Sequence, residues 1–196
     1  MSKKSYSLKK GSNVKSHKVF RGLRCYVSSF IFSKHTTKPT LNIEARISEI
    51  LNNMSSLGKS VCVFSFNKSM HSSILIANST SLFTYASAYG NNEVVFRESA
   101  SRDEIIYIIR DEMEEWGDEL SENNVAYISG LDRLKMMDKL RYLSERFEFS
   151  LMSNNCSRFV ADVLISGCTQ GKSFKHNRPW QMPANTLELA KEINEF

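Results

Sequence analysis

Apolar residues recur at helical spacing from Thr40 to Ser55, where Leu41, Ile43, Ala45, Ile47, Ile50 and Leu51 follow Pro39, and the spacing predicts a first amphipathic helix stopped by Gly58. The period then changes. Val61 to Phe66, His71 to Ala77 and Leu82 to Tyr89 are β-rich runs separated by Asn, Ser and Lys turns, and Glu93 to Arg97 can add a fourth, which reads as an antiparallel meander. Ser101 with Glu104 forms a capping box ahead of Ile105, Ile106, Ile108, Ile109 and Met113, so a helix is predicted over Arg102 to Trp116, ended by Gly117. A short strand follows at Val125 to Ile128. Leu131 to Arg146 is predicted helical with Leu134, Met137, Leu140 and Tyr142 as its apolar positions, and Phe147 to Met152 short and extended. Asn155 to Ser166 carries Phe159, Val160, Val163 and Leu164 as a buried stripe ended by Gly167, and Pro183 with Asn185 introduces a last helix ending near Ile193. The fold class expected from this order is α+β, with helices flanking a mainly antiparallel sheet.

Composition adds limits. With 196 residues, 41% hydrophobic, 11% aromatic and 3 prolines, the chain suits one folded domain with a tail, and collagen-like, wholly disordered and disulfide-dense classes are excluded. Between Met1 and Ile43 there are eight lysines, two arginines and no acidic residue, which leaves 16 basic against 21 acidic side chains for the rest. A nucleic-acid binder would spread its charge over the fold, so nucleic acid is not the expected partner, and the chain divides into a basic, Ser/Lys-rich segment at 1–39 and a slightly acidic domain at 40–196. That segment reads as a solubilising tail, as a leader for a non-cleaving bacterial export machine, or as a polybasic strip drawn to an anionic membrane surface or nucleic acid. No run reaches the ~18 apolar residues of a membrane span, and no cleavable signal peptide is expected.

Four cysteines, Cys25, Cys62, Cys156 and Cys168, show no C-x-x-C pair and no zinc spacing, so no metal is expected. Cys62, in the run Val61-Cys62-Val63-Phe64, reads as a small buried hydrophobe. Cys156 is different. In Asn154-Asn155-Cys156-Ser157-Arg158, an Asn cap puts the thiol in a first helical turn, where free N–H groups and the helix dipole lower a thiol pKa and can hold an oxyanion. A general base must come from His17, His35, His71 or His176, and His71, at the start of a strand, is the first choice. Each residue alone has a bland reading, a buried thiol and a strand-end histidine. Cys156 with His176 and Cys25 with His71 are the rival pairs.

The run His71-Ser72-Ser73-Ile74-Leu75-Ile76, followed by Leu82-Phe83-Thr84-Tyr85-Ala86-Ser87, resembles the histidine strand and next strand of the circularly permuted papain-like (NlpC/P60-type) superfamily. Ile128-Ser129-Gly130-Leu131-Asp132, Met136-Met137, Phe149 to Ser157, Phe159-Val160-Ala161 and Pro179-Trp180-Gln181-Met182-Pro183-Ala184 resemble blocks of bacterial toxin and effector members, such as Rho-inactivation-domain-like acyltransferases. The likeness spans roughly Val61 to Ile193, and the order His71 before Cys156 fits the permuted arrangement. It implies a thiol enzyme that passes through a thioester, Cys156 attacking and His71 moving the proton. A third polar group that orients the histidine is expected from the family. Asp118 is the first choice for it and Asp103 the second, with Ser87 or Tyr85 able to serve, while Asp132 reads as a helix cap.

Fold does not choose the reaction. The resemblance points first to a secreted bacterial effector or toxin that transfers a long acyl chain, with acyl-CoA as co-substrate and no bound cofactor, to lysines of a host protein such as a small GTPase. The basic segment would hold it at an anionic membrane. A cysteine protease or amidase of the same mechanism is the alternative, and a non-catalytic membrane- or nucleic-acid-binding module the third reading.

Overall fold

The computed structural model describes residues 40–66, 68–116, 120–169 and 172–195. The basic segment 1–39 lies outside them, as does Asp118. The elements run α1 (Thr40–Ser56), β1 (Val61–Phe66), β2 (His71–Ala77), β3 (Leu82–Ala88), β4 (Val94–Ser101), α2 (Arg102–Trp116), a 3-10 turn (Glu122–Asn124), β5 (Val125–Ile128), α3 (Arg133–Arg146), α4 (Cys156–Gly167) and α5 (Pro183–Asn194). The strands form one sheet in the order β4-β3-β2-β1-β5, and every pairing is antiparallel. The architecture is therefore α+β, as expected.

Helices cover both faces of the sheet, which is why the central strands are apolar on both sides rather than alternating. Val61 and Val63 of β1, Ile74 and Ile76 of β2 and Ala86 and Ala88 of β3 join a core with α3, α4 and α5. Their neighbours Cys62, Phe64, Phe66, Leu75, Phe83 and Tyr85 point the other way, into a core with α1 and α2. Several helix ends have a local cause. The α2 capping box is made in both directions, Ser101 N–H donating to Glu104 Oε2 at 2.7 Å and Glu104 N–H to Ser101 Oγ at 3.4 Å. Asp132 caps α3 by accepting the Lys135 N–H at 3.2 Å. Gly58, at φ +61, follows α1 in the left-handed region that glycine adopts without strain. Gly167 lets α3 and α4 close up, because a Cβ there would stand 2.7 Å from Met136 Cγ.

Three expectations need correction. Leu134 and Tyr142 are not on the buried stripe of α3; they are exposed, and Met136 takes the core position. The stripe runs Met136, Met137, Leu140, which keeps Met137 and Leu140 of the expected one and is rotated away from Leu134 and Tyr142. Phe147 to Met152 is not a strand. It is a loop closed by an isolated bridge between Ser150 and Asn154, with Phe147 anchored in the core. Finally, β4 continues to Ser101, since a bulge at Ser99 (φ +58) absorbs the register shift opposite Phe83 and Tyr85.

Candidate active site

The loop before α4 is tied at every step. Ser150 and Asn154 exchange backbone hydrogen bonds at 3.0 and 2.9 Å, and Phe149 N–H donates to Asn92 Oδ1 at 2.7 Å. Asn155, an extended N-cap at φ −96, accepts the Arg158 N–H on Oδ1 at 2.9 Å. Its Nδ2 donates to Leu151 O at 3.0 Å and to Gln181 O at 2.9 Å, so one buried amide clamps two loops and the helix start together. Asn155 O also takes the Phe159 N–H. Phe159 N–H thus makes the first regular helical bond and Arg158 N–H is taken by the cap, which leaves those of Cys156 and Ser157 beside the thiol.

Cys156, the first residue of α4, is 6% exposed. Its thiol donates to Met70 O at 3.6 Å across the turn that joins β1 to β2. Met70 is left-handed at φ +57, an uncommon state for a side chain of this kind, and it delivers the next residue, His71, to the same point. The imidazole lies between two rings, Phe66 at 6.4 Å and Tyr89 at 5.3 Å, both nearly parallel to it. His71 Nε2 is 2.7 Å from Ser87 Oγ on β3 and 3.6 Å from Glu112 Oε1 on α2. With Nε2 turned to those groups, the other ring nitrogen is the one left for Cys156.

Glu112 is buried, and the hydroxyls of Tyr85 and Tyr89 donate to its two carboxylate oxygens. It faces His71 from the α1–α2 layer, whereas Cys156 comes from the α3–α5 layer, so the site spans the end of the sheet. The electrostatics follow from this. Burial alone would lower the His71 pKa, but the charge of Cys156 and its hydrogen bond, with Glu112 behind, push it up to about 10. Burial works to raise the Cys156 thiol, and His71, by charge and hydrogen bond, outweighs it and pulls the pKa down, aided by the Ser72 N–H and the Ser157 hydroxyl. Burial also works against ionised Glu112, and His71, Ser87 and Tyr85 hold its pKa below the ordinary carboxylate value. The three groups thus favour a thiolate, an imidazolium and a carboxylate in line.

The structure places the expected residues as follows. Cys156, His71 and Ser87 come together, and Tyr85 reaches the site through Glu112. Asp103 does not: it is exposed on the first turn of α2, nine residues before Glu112, or about 14 Å along the helix axis at helical rise. His176 is engaged elsewhere, its Nδ1 3.0 Å from Glu192 Oε2 on α5, which removes the Cys156–His176 pairing. Cys25, His17 and His35 lie outside the described residues. Cys62 is fully buried in mid-strand, and burial pushes its thiol up. Glu112 was not anticipated. Its signal is its phase: Ile105, Ile109 and Met113 are the buried stripe of α2, and Glu112 falls on it, an acid where an apolar residue is expected.

No family model matches this chain, and neither the curated proteins nor the solved structures contain a match to it. Among the described residues no three His, Cys, Asp or Glu side chains group as metal ligands, and no helix is long and apolar enough to cross a membrane.

Proposed function

We propose that this chain is a papain-like thiol enzyme that forms an acyl thioester on Cys156 and transfers the acyl group to an amine. The observation that carries the reading is the line Cys156, His71, Glu112, with the thiol at a helix start and the imidazole between thiol and carboxylate. In the first half-reaction the Cys156 thiolate attacks the carbonyl carbon of an acyl thioester such as acyl-CoA. The oxyanion that forms is accepted by the Cys156 and Ser157 N–H groups, and the departing thiolate takes the proton from the His71 imidazolium. In the second, a lysine amine attacks the acyl-Cys156 carbonyl, His71 accepts the amine proton, and Cys156 leaves as thiolate with an amide formed. Glu112 holds the imidazolium in place throughout and does not itself need to take the proton.

The choice of a long apolar acyl group is supported by the exposed side chains Met70, Leu151, Met152 and Trp180 on the segments that meet at Asn155 and Cys156. The resemblance to toxin and effector members supports a host protein, such as a small GTPase, as the lysine donor. The test is intact mass after incubation with palmitoyl-CoA and, separately, with a thiol-reactive activity probe. A palmitoyl adduct that disappears in Cys156→Ala and weakens in His71→Ala, and that passes to an added amine, is the expected result. Probe labelling with no palmitoyl adduct turns the reading to a protease or amidase, and no adduct of either kind on folded protein overturns it.

A further inference from the structure

Nine large apolar side chains are exposed among the described residues, and four of them, Met70 (43%), Leu151 (50%), Met152 (56%) and Trp180 (51%), belong to the three segments that converge on the nucleophile. Their convergence shows in contacts at the helix start: Met70 O lies 3.6 Å from Cys156 Sγ, and Leu151 O and Gln181 O accept from Asn155 Nδ2 at 3.0 and 2.9 Å. The loops are tied by their own hydrogen bonds. Gln181, fully buried, ties its own loop by donating to His176 O at 3.1 Å and accepting from Arg178 N–H at 3.1 Å, and the Leu151–Met152 tip is closed by the Ser150–Asn154 bridge. These tips are held out to solvent by built structure and do not collapse onto the core.

The charge on these segments is mainly positive. Lys68, Lys172, Lys175 and Arg178 are exposed on the same segments. From Phe149 to Met182 the one acidic residue is Asp162, and it pairs with Arg158. Glu192 meets this region from α5, but its carboxylate takes the Lys175 and His176 N–H groups at 2.9 and 3.1 Å; Glu148 stands at the foot of the Leu151 loop. An interfacial Trp, protruding Leu and Met tips and a cationic surround are the combination that suits a lipid headgroup boundary: apolar tips enter the acyl region while Lys and Arg meet anionic headgroups.

We infer that the rim of the Cys156 site, Met70, Leu151, Met152 and Trp180 with the neighbouring cations, docks the folded domain on an anionic bilayer, active site facing the lipid. This goes beyond the proposed chemistry and is independent of it, so it is measured on the full chain carrying Cys156→Ala. The chain has two tryptophans, Trp116 and Trp180. In a Trp116→Phe background Trp180 becomes the sole reporter, mixed with phosphatidylcholine vesicles with and without about a third phosphatidylglycerol, the acyl chains brominated. The expected result is a blue shift and quenching of Trp180 with the anionic vesicles, weakened by salt, and about tenfold weaker vesicle binding when Leu151 and Met152 are both changed to Ser. Vesicle binding with Trp180 unquenched assigns the binding to the basic segment 1–39 and overturns the inference, as does absence of binding. If Trp116→Phe does not fold, the difference in quenching between Cys156→Ala and Cys156→Ala with Trp180→Phe gives the same reading.

Discussion

Cys62 and Cys156 are both nearly sealed from solvent, and their surroundings drive their thiols in opposite directions. Cys62 sits in the middle of β1, in register with Leu75 on one side and Tyr127 on the other, and faces the apolar layer of α1 and α2. Nothing there repays a negative charge, so burial alone decides, and it favours the neutral thiol. Cys156 pays the same desolvation and has what Cys62 lacks: an imidazolium, a strand N–H and the first turn of a helix. A buried thiol is therefore inert by default, and activation requires donors and charge brought from several elements. Here they come from β2, which carries His71 and Ser72, from the start of α4 and, behind the imidazole, from β3 and α2, and no single segment could supply them.

Removing His71 breaks the contrast most completely. In His71→Ala the thiol of Cys156 loses its largest favourable partner, and its pKa returns to or above the ordinary 9.0. At neutral pH the thiolate fraction then falls to about one part in a hundred or less, and alkylation by iodoacetamide should slow by about a hundredfold or more. Peptide mapping of the alkylated protein checks this site by site. In native wild type the label should be on Cys156 and absent from Cys62; equal labelling of the two would remove the basis for calling Cys156 activated.

Glu112→Gln keeps the shape and removes the charge behind His71, and is expected to act less strongly. Acylation or alkylation at neutral pH should fall by roughly tenfold, while the alkaline limit of reactivity, set by the His71 pKa of about 10 in the wild type, should move down by about one to three units. A residue that merely filled space would lower stability without moving that limb. The same residue marks where reading the sequence fell short. Cys156 and His71 were legible because their signals are local: an Asn cap in front of a thiol, and a histidine at the head of a β-branched run. Glu112 was not, because an acid is ordinary in a helix, and only the burial of Ile105, Ile109 and Met113 around it shows that it points inward. Its partners Tyr85 and Tyr89 share one face of the β3 run, and only the packing of α2 on that face brings Glu112 to them, which no local pattern gives.

The elements themselves were more legible than their fates. Caps at Ser101, Asp132 and Asn155 fixed three helix starts, since each is a hydrogen bond made within four residues. The phase of α3 was misread because Leu134, Met136, Met137, Leu140 and Tyr142 allow two apolar stripes, and the choice between them rests on Gly167 admitting Met136, a contact across two helices. Phe147 to Met152 reads as extended in the sequence for a related reason: the loop is shaped by Asn92 and Gln181, 58 residues before and 31 after Ser150 along the chain.

The smallest effect sharpens the comparison most, because it tests whether folding shifts the titration of the pair at Cys156. His71 has a folded pKa above its ordinary 6.5, so its contribution to stability is complete below 6.5 and is lost as pH rises to about 10. Cys156 has a folded pKa below its ordinary 9.0, so its contribution is complete above 9.0 and is lost as pH falls towards the folded value. From the higher of 6.5 and the folded Cys156 value up to 9.0, the folded protein keeps one proton, on His71, and the unfolded chain keeps one, on Cys156, so the two slopes cancel. Relative to a Cys156→Ala, His71→Ala double variant, the wild-type unfolding free energy should be level across that window. It should decline above the window, at up to about 1.4 kcal/mol per pH unit, where the unfolded chain has given up its Cys156 proton and the folded chain still holds that of His71. Groups whose pKa values did not shift on folding would carry the same protons in folded and unfolded chains, and the difference between wild type and double variant would then stay level at every pH. Urea titrations at a series of pH values decide between a plateau that falls above 9.0 and a straight line.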